Sequence, residues 1–122
     1  MNRILSLILA ASILFLSSCG NSEMKKDARN IATAMCKSIE AMSKLKAANP
    51  DDSAEVSKLQ SKQKQAEIEM QVLYQDFRTK YKDKIADEKF SKEFAIELRK
   101  SMLDCQYLST EDRANFEKEI NK

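Results

Sequence analysis

The 122-residue chain has no histidine and no tryptophan, one glycine, one proline and three cysteines. Each scarcity excludes something. Without histidine, a serine or cysteine nucleophile would need a lysine or carboxylate as its base. A zinc site would need thiolates together with carboxylates, an unusual donor set. Gly20 and Pro50 are the only residues of their kinds. Sheets and barrels need turn residues at short intervals, and these are missing. Charge of one sign is also lacking: 21 Lys and Arg face 19 Asp and Glu, for a net charge of +2. That balance argues against a nucleic-acid binder. What fills the chain is Ala, Leu, Met, Glu, Lys and Gln, the strong helix formers. The expected fold is all-α, a small three- to four-helix bundle built on a long antiparallel helical hairpin.

The longest apolar run is residues 4–16, preceded by Asn2 and Arg3. Thirteen residues of helix cover about 20 Å, short of the roughly 30 Å hydrocarbon core. Charge, apolar core and small residues in this order form the pattern of an export signal. The run ends in Leu16-Ser17-Ser18-Cys19, which resembles the lipobox of bacterial lipoprotein precursors. The resemblance covers residues 1–19 and extends to no specific family for the rest. It implies cleavage between Ser18 and Cys19 and a diacylglyceryl group on the Cys19 sulfur. The new amine would carry a further fatty acyl chain such as palmitate. The expected organisation is then a signal peptide over 1–18, a lipidated tether over 19–22 and a helical domain over 23–122. Two or three acyl chains far exceed the marginal hold of one. Gly20 stands where an inner-membrane retention signal would carry Asp, so the resemblance points to the outer membrane, on its periplasmic or surface face. No cofactor is expected beyond the covalent lipid.

Residues 23–48 read as a first helix. Met24, Ala28, Ile31, Met35, Ile39, Met42 and Leu45 recur at steps of three and four, an amphipathic stripe. Residues 49–53 break it. Pro50 suits a first helical position, and Asp52 with Glu55 offers an alternative capping box. Residues 51–84 read as one long helix with Val56, Leu59, Ala66, Met70, Leu73 and Phe77 on its stripe, continued by Tyr81 and Ile85. The stripe is thin over 57–65. Asp87 is a candidate cap for a third helix reaching about residue 107. Ser109 starts a short fourth helix carrying Phe116 and Ile120.

With Cys19 taken by lipid, Cys36 and Cys105 remain, an even pair in an exported chain. Their spacing of 69 excludes a CxxC redox motif. At 1.5 Å per residue, Cys36 lies about 18 Å above the hairpin turn and Cys105 about 19 Å above it, on a third helix parallel to the first. The spacing therefore predicts a Cys36–Cys105 disulfide.

Candidate chemistry is sparse. Residues 74–84 interleave Tyr74, Phe77 and Tyr81 with Arg78, Lys80, Lys82 and Lys84. Tyr74, Phe77, Arg78 and Tyr81 are candidates for a partner surface, toward an envelope protein, a glycan or anionic headgroups. Against this stands a core-boundary role for the aromatics. The five methionines after residue 19 serve as core filler rather than a soft-metal site. No nucleophile and base are paired, and no metal set is visible. The sequence therefore predicts a lipid-anchored bacterial envelope protein that binds or scaffolds and is not an enzyme. The alternative is a periplasmic small-ligand or chaperone-like client binder.

Overall fold

The computed structural model describes the backbone of residues 2–122 and the side chains of residues 22–122. Four helices follow in order: α1 (Asn2–Ala47), α2 (Ser53–Lys80), α3 (Glu88–Met102) and α4 (Thr110–Ile120). Among the described residues there is no strand. The fold is the all-α bundle expected from composition, built on an antiparallel hairpin of α1 and α2.

Three short polar segments set the helix starts. Asp52 caps α2, its Oδ1 accepting from the Glu55 amide at 3.0 Å. Pro50 lies one turn earlier, and Asn49 Oδ1 accepts from the Asp51 amide at 3.1 Å. The helix therefore begins at Ser53 rather than at 51, because the aspartate side chain satisfies an amide that has no partner in the first turn. The Asp52 amide goes to the Asn49 carbonyl, so the capping box is only half formed. Asp87 Oδ1 accepts from the amides of Lys89 (2.8 Å) and Phe90 (3.3 Å). Ser109 Oγ accepts from the Asp112 amide and donates to its carboxylate.

Register along the hairpin is constant. Lys37 meets Glu69 at 3.2 Å and Asp27 meets Lys80 at 2.9 Å. The contacts are ten residues apart on α1 and eleven on α2, so the helices stay in step for about 15 Å. The core has two centres. Met24, Ile31, Phe77 and Tyr81 are buried together, with Leu73, Phe90 and Phe94 against them. Ala32, Met102, Cys105 and Leu108 form the second, with Cys36, Ile39, Tyr107 and Phe116. Met35 and Leu98 pack on both and join them. Between the lower arms of α1 and α2 the buried side chains are small, Ala41 and Ala66 beside Leu59, as the thin stripe implied.

Four further details differ from the expectation. α2 ends at Lys80, not at residue 84. Tyr81 leaves helical geometry (φ −110°, ψ 22°), and two turns carry the chain to Asp87. The reason is tertiary: burying Tyr81 holds it in the core while the chain must reverse. Ile85 therefore does not extend the stripe and is 36% exposed. α3 ends at Met102, which places Cys105 in the α3–α4 connection rather than on a helix. Met42 is 41% exposed, because Ala41 takes the face that approaches α2. The disulfide itself is present: Cys36 and Cys105 are bonded, with Cα atoms 5.7 Å apart.

Candidate functional site

The four residues expected to form a partner surface separate. Phe77 and Tyr81 are buried, whereas Tyr74 and Arg78 are exposed. The buried pair belongs to an aromatic stack. Phe77 lies 4.0 Å from Phe94 between ring centroids, and Tyr81 lies 4.8 Å from Phe77 and 5.2 Å from Phe90. These are stacked and tilted arrangements, which add to the value of burial. Tyr74 stays exposed on the flank of α2, and the face of α2 opposite its buried row carries Ile68 and Val72, each 53% exposed. Sequence reasoning missed Ile68 and Val72. The signal was two apolar residues four apart and off the core stripe.

The C-terminal end of α2 is paired to α1. Lys80, its last residue, meets Asp27 at 2.9 Å and Glu23 at 3.6 Å, while α1 continues towards its N-terminus. The Tyr81 hydroxyl donates to Asp27 Oδ2 at 2.8 Å. One carboxylate thus accepts from both an ammonium and a phenol at the head of the hairpin. Its hydrogen bond raises the Lys80 ammonium above the usual lysine range. Burial, and then the bond to Asp27, pushes the Tyr81 phenol up to about 12.

An open groove of about 270 Å³ runs between the lower arms of α1 and α2. Ala41, Leu59 and Ala66 floor it, and Lys37, Glu40, Lys44, Lys62 and Glu69 rim it. The rim is internally paired: Lys37 with Glu69 and Lys44 with Glu40. The Lys44 hydrogen bond holds the Glu40 carboxyl below the ordinary carboxylate range. A second open groove passes Cys36, Cys105, Arg29 and Asp104. At the α3–α4 connection, Arg113 donates to the carbonyls of Leu103 (2.6 Å) and Cys105 (2.9 Å), which fixes the backbone that carries the disulfide.

Among the described residues no group of three or more Cys, Asp and Glu is placed to hold a metal ion. No helix among them is long and apolar enough to cross a membrane. Ser18 and Cys19, the expected cleavage and lipidation positions, lie outside the residues whose side chains are described. The chain matches no known protein-family model, no curated protein and no solved structure.

Proposed function

We propose that this is a lipid-anchored bacterial envelope protein whose folded part binds or scaffolds a partner near the membrane. The observation that carries the reading is Leu16-Ser17-Ser18-Cys19 at the end of the apolar run over residues 4–16, after a basic start. An interior filled by side chains favours scaffolding over a ligand cavity: Met24 and Met102 occupy it, and no buried polar side-chain atom lacks a partner among the described residues. The exposed Ile68 and Val72, one helical turn apart on α2, offer the partner an apolar strip.

Intact mass of protein from its native membrane tests the anchor. The expected result is a chain beginning at Cys19 with diacyl or triacyl mass, gaining two hydrogens on reduction. An unprocessed mass without acyl chains would overturn it. Replacing Ile68 and Val72 by Lys tests the strip. Both lie on an exposed face, so folding should change by less than about 0.5 kcal/mol. Crosslinked partner should be lost from native membranes.

The second reading, a small-ligand or client binder, is favoured by the groove floored with Ala41, Leu59 and Ala66. A concentration-dependent rise in melting temperature with an apolar probe such as a fatty acid, abolished by Ala66→Leu, would favour it.

A further inference from the structure

We propose that the end of the bundle nearest Cys19 is a contact surface for anionic lipid headgroups, centred on the α2–α3 connection over residues 81–87. The proposal rests on the lipid-anchor reading and adds what the anchored domain does at the surface.

The first argument is position. Cys19 and Asp27 are eight residues apart on α1, about 12 Å along its axis. Asp27 holds both Lys80 and Tyr81, so the connection begins at that level. An acylated Cys19 therefore brings residues 82–86 to the bilayer surface, and lysine side chains shorten the remaining gap. Surface charges act over a screening length of about 8 Å at physiological salt, so this end, and not the distant hairpin turn, is within the field.

The second argument is charge. Residues 22–30 and 78–89 hold eight Lys and Arg against five Asp and Glu, net +3. Residues 31–77 and 90–122 hold twelve against fourteen, net −2. The excess is therefore confined to the end that faces the membrane. All eight basic side chains are exposed, Lys25, Lys26, Lys82 and Lys84 among them. Part of the acid is already engaged: Glu23 and Asp27 lie within 4 Å of Lys80, and Asp87 caps α3. Ile85 stands exposed between Lys84 and Asp87, an apolar side chain suited to the headgroup boundary. An anionic leaflet attracts basic residues held this close.

The test uses lipidated protein purified from its own membrane, with acyl mass verified first. It is reconstituted into phosphatidylcholine vesicles and into vesicles carrying about a third phosphatidylglycerol, a level at which surface potential is substantial. Amide hydrogen exchange is then read at Lys82, Asp83 and Ala86. The amides of Lys84, Ile85 and Asp87 are bonded within the connection and serve as internal controls. The expected result is exchange at the three open amides slowed several-fold on anionic vesicles relative to neutral ones. Added salt should reverse this, and Lys82→Glu with Lys84→Glu should abolish it. That double variant alters only exposed side chains, so its thermal melt should match the parent. Equal exchange on the two vesicle types overturns the proposal and leaves the anchor standing. A mass without acyl chains removes the anchor and the proposal with it.

Discussion

Tyr81, itself 5% exposed, packs its ring against Phe77 and Phe90 and sets its hydroxyl on Asp27. Removing the hydroxyl in Tyr81→Phe keeps the ring contacts and loses one hydrogen bond to a charged group, at a cost of about 1.5 kcal/mol. The same residue gives the fold an alkaline limit. Its phenol is held up to about 12 in the native state, against about 10 when unfolded. Between those values the unfolded chain has released a proton that the folded chain keeps, so stability falls as pH rises. Lys80, also raised, acts with the same sign. Urea midpoints measured from pH 9 to 11 should therefore fall, and fall less steeply in Tyr81→Phe. Met102, 1% exposed in the second core centre, is the matching apolar case. Met102→Ala should cost about 2–5 kcal/mol through lost burial and a cavity, read as a lowered melting temperature.

At the scale of elements, what the sequence showed and what it hid follow a physical line. The starts of α3 and α4 were legible because Asp87 and Ser109 act on amides two and three residues away. Such a cap needs no knowledge of the rest of the fold. Ser109→Ala should accordingly destabilise by about 1 kcal/mol. The ends of α2 and α3 were not legible. No proline or glycine stands near Lys80 or Met102, and each helix stops where the buried residue just beyond it, Tyr81 or Cys105, must be held in the core. Met42 misled for a related reason. A stripe drawn at steps of three and four does not say that α1 needs separate faces for α2 and α3, and the close approach of α2 selected Ala41. The aromatics of residues 74–84 were divided by period instead: Phe77 and Tyr81 continue the α2 stripe and are buried, whereas Tyr74 lies off it and is exposed. The lower arms of α1 and α2 lie below both core centres, with little apolar surface between them. Amides around residues 44–60 should then exchange through local opening, well before those near Ile31 and Phe77, which open only with global unfolding.

At the scale of the whole molecule, the disulfide couples the fold to its compartment. Cys36 sits on α1 and Cys105 beyond α3, and their bond closes a loop of 69 residues. It joins the hairpin to the part of the chain that ends in α4, across the second core centre. In the chain-entropy argument a loop of this length stabilises by about 4 kcal/mol, a large part of what a domain of this size has in total. The pairing was legible without knowing that Cys105 lies off the helix, because axial level alone brought the two residues together and small errors in boundaries shift that level little. If the chain is exported as proposed, it reaches a compartment where the bond can form. The same chain without residues 1–18, made in a reducing cytosol, should lack it. Its mass should be two hydrogens above the oxidised form, and it should melt roughly 15 °C or more lower, taking 4–8 °C per kcal/mol for a domain of this size. Oxidation in vitro should restore the higher melting temperature in that chain and leave Cys36→Ala unchanged. Equal melting of oxidised and reduced chains would show that core packing, and not the crosslink, holds the bundle together.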